Sequence, residues 1–376
     1  MSILTQPLPT PSFPLPVLRY GLQRHLFPAL EEECGPLSDK DHQFLEVLAL
    51  LPDQPWPADY AWCGEGRPPA CRRWLLHALV AKAAYGFATT VALIEALHGR
   101  ATLRRLCGWQ SASEIPDEAT FSRAFAQFAA DELPQQLHAT MIQIHCGPKL
   151  AGHASQDSTA VSARERSTRP AAASTCLPVP RRKRGRPRKG QEPPPPPPAR
   201  LELQPGRSLA ENLADLPRGC DSGCKTGSKG QPEYWRGYKL HLASIDGDIP
   251  VSAILTSAST HDSQVAIPLM QMTAQRVHNL YDLMDAAYDA GAIHPFSRGL
   301  GHVPIIDPVQ RGQWVPLDPA QQRRFGERSA AERVNSRLKD EFGARTVRVR
   351  GAAKVMAHLM YGVLALAALA IWNRLC

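Results

Sequence analysis

The sequence predicts an α/β protein whose sheet-forming part follows an all-α N-terminal part. Three observations carry that expectation. Apolar residues recur at three- and four-residue spacing from about Asp41 to Cys146. Strand-like runs begin near Ala151 and then alternate with helical ones. Aspartates close two of those runs, at the strand ends where α/β sheets open a crevice for binding groups. With 376 residues, of which 43% are apolar, the chain can build one large domain or two smaller ones.

Residues 1–40 are rich in proline and are expected to form a loosely ordered arm, with no charged leader before an apolar run and hence no signal peptide. Residues 41–148 are expected to be a helical, DNA-binding domain. Its periodic segments are HQFLEVLALL, CRRWLLHALVAKAAYGF, TTVALIEALHG and TFSRAFAQFAADELPQQLHATMIQIH, with a shorter helical turn in ATLRRLCGW. Thr89 and Thr120 are the expected N-caps of two of these helices.

Residues 149–376 are expected to form the α/β domain. A strand is placed around residues 153–160. Two more lie in YWRGYKLHLASIDGDIPVSAILTSAS, joined by a turn at Asp246-Gly247-Asp248. A helix (SQVAIPLMQMTAQRV), a strand (NLYDLMD), a helix-like piece and a strand (HVPIID) follow. Two helices, at about 319–342 and 352–374, end the chain. The stretch at about 164–233 interrupts the first strands. It has few apolar periodicities, a basic run RRKRGRPRKG at 181–190 and six prolines at 193–198, so it is expected to be a disordered insertion.

The net charge of +8 and pI of about 9.1 favour an acidic partner, nucleic acid being the commonest. Nine scattered cysteines form no framework and read as reduced thiols. Cys220 and Cys224 have no second pair at zinc-ligand spacing. The run VMAHLMYGVLALAALAIW from Val355 to Trp372 reaches membrane-spanning length. The alternative is a terminal helix covered on several sides; His358 and Gly362 within it favour that alternative, and no membrane partner is expected.

Asp157 follows the strand-like AGHAS, and Asp285 closes NLYDLM. Two carboxylates brought together at strand ends repel unless a cation lies between them. In RRFGERSAAERVNSRLKDEFG, helical geometry puts Arg328, Glu332, Asn335 and Lys339 on one face, beside an apolar stripe of Ala331, Val334, Leu338 and Phe342. The helix can dock by the stripe and present the polar row to the crevice. Spacing alone also allows a solvated face with intrahelical ion pairs.

Phe325-x2-Arg328-x3-Glu332-x6-Lys339 resembles the Tyr-Arg-Glu-Lys signature of bacterial insertion-sequence DDE transposases, in register at every gap. Other pieces agree in order: Asp157-Ser158-Thr159, Trp235-Arg236-Gly237-Tyr238-Lys239-Leu240-His241, Thr260-His261-Asp262-Ser263 and Asp285-Ala286-Ala287-Tyr288-Asp289. Arg67-Pro68-Pro69 and the helices after it resemble that family's N-terminal helical part. There are two departures. Phe325 stands where the signature has tyrosine, and the strand before Asp157 is unusually polar, with His153, Ser155 and Gln156.

The resemblance implies an RNase H-like catalytic domain, a mixed sheet flanked by helices. Asp157, Asp285 and Glu332 would be its catalytic residues and would hold Mg²⁺, or Mn²⁺ as a substitute, as two ions. Arg328 and Lys339 would grip the DNA backbone, with Asn335 on the same face. The implied partners are the element's terminal inverted repeats and target DNA, engaged by a homodimer in a bacterial cytoplasm, at the nucleoid. Lys183, Arg184, Arg186 and Arg188 sit in a tract resembling an AT-hook, which enters the narrow minor groove; a nonspecific basic linker is the other reading. Arg72, Arg73, Arg100, Arg104, Arg105 and Arg123 could belong to a helical reader of the ends or to a structural cap. A metal-dependent nuclease on the same scaffold, an inactive DNA-binding derivative and a membrane protein are the competing functions.

Overall fold

The computed structural model describes residues 36–53, 65, 69–167, 198–226, 230–308 and 316–375. The helices α1 (Asp39–Leu50), α2 (Arg72–Ala84), α3 (Thr90–Gly99), α4 (Ala101–Cys107), α5 (Glu118–Ala130) and α6 (Leu133–His145) come first. Thr89 caps α3, its side chain accepting from Ala92 N at 3.0 Å. Thr120 is no cap. Asp117 fills that role, accepting from Thr120 N at 2.9 Å, and the helix starts two residues before Thr120. The long periodic run to His145 is two helices, because Glu132 takes a left-handed φ of 51° and Pro134 lies in the next first turn. The apolar spacing carries across that break unchanged, which hides it from a periodicity argument.

Then follow β1 (Leu150–Ser162), α7 (Arg200–Leu203), α8 (Leu209–Asp215), β2 (Asp221–Thr226), β3 (Pro232–Ile245), β4 (Ile249–Ser257), α9 (Ser263–Ala274), β5 (His278–Met284), α10 (Ile293–Gly299), β6 (Val303–Ile306), α11 (Pro319–Phe325), α12 (Ser329–Asp340) and α13 (Ala352–Leu375). The sheet is mixed. β1, β5 and β6 run parallel, and β3 pairs antiparallel with β1, β2 and β4. The β3–β4 turn falls at Asp246-Gly247-Asp248, with positive φ at Gly247 and Asp248 as a tight hairpin requires.

Two expectations are corrected. Residues 198–226, inside the segment expected to be disordered, form α7, α8 and β2. Hydrogen bonds fasten the first part of this stretch to α9: Gln204 Nε2 donates to Gln264 O at 2.7 Å and Asn212 Nδ2 to Gln271 Oε1 at 2.9 Å, while Leu216 and Cys220 are buried in the core and β2 pairs with β3. Anchors of such mixed kinds leave no regular apolar period to read. The basic tract at 181–190, and with it Lys183, Arg184, Arg186 and Arg188, lies outside the described residues, as does residue 1–35 of the N-terminal arm.

The second correction concerns the boundary at 148. The helical part and the sheet share one core, because α13 packs against α1, α2, α5 and α6 as well as β4. Sixteen residues of α13 are buried, from Val355 to Trp372, so its all-round apolarity matches cover on all sides. A Cβ at Gly362 would stand 2.8 Å from Phe342 O, so glycine lets α13 approach the end of α12 closely. By length and composition α13 could also cross a membrane; here protein covers it.

Candidate active site

β1 and β5 set the first two carboxylates side by side. Ser155 pairs with Leu283 in the parallel ladder, so Asp157 and Asp285, each two residues further on, stand at one level; Asp285 lies just past the end of β5, whereas Asp157, expected at a strand end, falls within β1, which continues to Ser162. Asp285 then leaves the sheet, and its Oδ1 accepts from Ala287 N at 3.0 Å, capping a short 3₁₀ turn. The third element is α12. Ala331, Val334, Leu338 and, just beyond it, Phe342 are buried, as the stripe predicted, and dock the helix across β1, β3 and β4. The expected helix at 319–342 is divided at Gly326–Arg328 by a 3₁₀ turn, which places Arg328 at the entry to α12.

All three carboxylates converge on one guanidinium. Arg328 Nη1 donates to Glu332 Oε1 at 2.6 Å, while Nη2 lies 3.4 Å from Asp285 Oδ2 and 3.7 Å from Asp157 Oδ1. The Arg328 side chain is only 14% exposed, yet its Nε is buried without a hydrogen-bond partner. Asn335 donates from Nδ2 to Asp157 Oδ2 at 2.8 Å and fixes that carboxylate's orientation. Phe325, in the signature's tyrosine position, has the Arg328 guanidinium 6.0 Å from its ring centre, which keeps the aromatic neighbour without the hydroxyl.

Burial dominates the electrostatics. It pushes the Asp157 carboxyl up to about 6, against the opposing pull of Arg328 and Asn335. Asp285 is raised for the same first reason. Lys339, farther along the same helical face, is pushed down by burial and by the nearby charges of Lys225 and Arg345. It lines a cleft of about 250 Å³ with Lys225, Tyr234, Trp235 and Arg345. Lys339 is thus beside the carboxylates rather than among them.

The raised Asp157 carboxyl has a consequence for stability. Between its ordinary value of 3.8 and about 6 the folded chain holds a proton that the unfolded chain releases, so stability falls as pH rises through that window. Asp157→Asn keeps an acceptor for Asn335 and removes the buried charge. It is expected to stabilise the fold at pH 7 by about 1–3 kcal/mol, and to show little difference at pH 4. Denaturant melts at both pH values check this; equal destabilisation at both would contradict it.

The chemistry of the set fits a hard divalent cation: three carboxylate oxygens from separate elements, two of them partly desolvated and already drawn to a positive charge. Among the described residues no group of three or more His, Cys, Asp or Glu stands in a metal-holding arrangement. Arg328 lies between the carboxylates, and the Glu332 side chain is turned outward, 61% exposed.

Residues that the helical-face argument did not pick out also border the site. Lys239 Nζ donates to Asp262 Oδ1 and to Thr260 O, both at 2.9 Å, and the Asp262 charge helps raise Asp285. His241, fully buried below, is pushed down to about 4 and stays neutral. Tyr288 is buried with no partner for its hydroxyl, in the field of Asp262, Asp157 and Asp285. The motif pieces containing Lys239, Asp262 and Tyr288 were the available signal. His261 is engaged locally, its ring Nδ1 2.8 Å from Ser263 Oγ.

Comparison with known families gives two matches, and Asp157 lies outside both. Residues 218–368 match the family model described as Transposase DDE domain, and residues 32–127 match one described as Transposase domain. The chain belongs to the DDE-type transposases of insertion sequences. No curated protein and no solved structure matches it. In this transposase the two matched regions meet in the shared core, since α13 runs under α1, α2 and α5. The DDE family is generally metal-dependent, in keeping with the carboxylate chemistry of the site.

Proposed function

We propose that this transposase binds the ends of its own insertion sequence and, with bound divalent metal, cuts and transfers DNA strands using Asp157, Asp285 and Glu332. One observation carries the reading: three acidic side chains from β1, the end of β5 and α12 converge on a single cationic centre. The register of Phe325, Arg328, Glu332 and Lys339 supports a place in the Tyr-Arg-Glu-Lys branch.

Mg²⁺, when bound, would activate the attacking oxygen and stabilise the leaving one during phosphodiester exchange. The chain's own contribution is placement. Asn335 holds the Asp157 carboxylate in one orientation, and the Ala287 amide does the same for Asp285. Burial lowers the local dielectric, which strengthens the attraction of these carboxylates for a cation. Lys339, with Lys225 and Arg345 across the cleft, offers positive charge to a DNA backbone leading to the site. Synapsis of two ends would take two copies of the chain, acting in the bacterial cytoplasm at the nucleoid. The basic tract with Lys183, Arg184, Arg186 and Arg188 would add minor-groove or backbone contacts.

The test is an end-labelled duplex carrying the terminal repeat that flanks the reading frame. Cleavage at the element boundary, followed by joining of the 3′ end to a second duplex, is expected with Mg²⁺ and not with Ca²⁺ or chelator. Cleavage without joining would favour the nuclease, and metal-independent cleavage would remove the carboxylate reading.

A further inference from the structure

We propose that Arg328 is a built-in counter-cation that occupies the metal-binding centre until a DNA phosphate draws it away, so that metal loading and DNA-end binding are coupled. The inference rests on the metal-site reading above and concerns its regulation.

The placement of the guanidinium is the first argument. It lies against Asp157, Asp285 and Glu332 at once, so the position a divalent ion needs already holds a positive charge. An ion ligated by the same oxygens and this guanidinium would repel each other across a few ångströms, and the two states exclude one another.

Hydrogen bonding is the second argument, and it is poor. Only the contact to Glu332 is short. The Asp285 contact is 3.4 Å and that to Asp157, at 3.7 Å, is beyond hydrogen-bonding range. The buried Nε has no acceptor at all. A guanidinium held by charge but under-supplied with acceptors is readily transferred to a better one. A phosphate offers bidentate acceptance to the planar fork.

The third argument is mechanical. Arg328 ends the 3₁₀ turn between α11 and α12, a turn that lies against β1 and β5 but has no fully buried residue. Its best partner, Glu332, is one helical turn away and mostly exposed. Glu332 can therefore turn toward the other two carboxylates once Arg328 leaves. The same movement would remove the plug and complete the ligand set. Linkage then requires reciprocity: whatever factor a DNA end adds to metal affinity, metal must add to end affinity.

Mn²⁺ binding by the full chain, followed by electron paramagnetic resonance with and without a duplex carrying the terminal repeat, tests this without reference to cleavage. The wild type should bind Mn²⁺ weakly alone and at least about tenfold more tightly with the end duplex. Arg328→Gln should bind Mn²⁺ tightly with no DNA and gain little from adding it. Its melting temperature, lowered by the unpaired carboxylates, should rise more with Mn²⁺ than the wild type's does. Arg328→Ala provides a second variant with the same expectation. If Asp285→Asn abolishes Mn²⁺ binding but both Arg328 variants bind it no better than the wild type, the plug is refuted while the metal site stands. If Asp285→Asn leaves Mn²⁺ binding unchanged, the metal-site reading itself fails.

Discussion

Asp285→Asn is expected to lower DNA cleavage by about two to three orders of magnitude, the scale on which removing one charge-stabilising group acts at a reacting centre, while changing end binding measured without divalent metal no more than a few-fold. The asparagine oxygen still caps the turn at Ala287, as Asp285 Oδ1 does at 3.0 Å, so the fold around it is kept. What is lost is one of two carboxylates that adjacent parallel strands set at one level. The remaining charges on Asp157 and Glu332 still hold Arg328, and the DNA-facing cations are untouched. Cleavage and electrophoretic mobility shift are to be measured on the same terminal duplex. Retained Mg²⁺-dependent cleavage would remove Asp285 from the catalytic set.

Leu364→Asp is expected to leave no folded protein. Leu364 is fully buried in α13, the helix that joins α1, α2, α5 and α6 to β4. Losing a buried leucine costs about 2–5 kcal/mol, and enclosing an unpaired carboxylate adds several more. Together these approach the whole stability of an ordinary domain, about 5–15 kcal/mol. Asn373→Asp, two residues before the end of the same helix and exposed, should be tolerated. Soluble yield and circular dichroism of the two variants decide the matter. A folded Leu364→Asp protein would show that α13 is not the centre of this core.

Local signals made much of this legible. The hairpin turn at Asp246-Gly247-Asp248, the strand ending at Asp285 and the stripe Ala331, Val334, Leu338 and Phe342 all follow from periods and turn residues within a short window. The polar row on α12 was equally visible, and two of its members, Arg328 and Asn335, reach the aspartates. Residues 198–226 were not, because side-chain amides to α9, isolated buried residues such as Leu216 and Cys220, and the pairing of β2 with β3 hold them without a regular apolar face.

The amino-acid sequence by itself determined most of the elements and their order outside residues 198–226, since these rest on spacing along the chain, and it nominated Asp157, Asp285, Glu332, Arg328 and Lys339 through a motif resemblance. Tertiary structure decided how those groups meet. Whether Arg328 faces solvent, DNA or the carboxylates depends on the docking of α12 over β1 and on the parallel register of β1 with β5. Those are contacts between residues more than a hundred positions apart, and no local period encodes them. The same holds for α13, whose apolar surface states that it must be covered but not by what. Only packing shows that helices and sheet cover it together, and that one arginine lies against all three of the acids proposed to hold the metal.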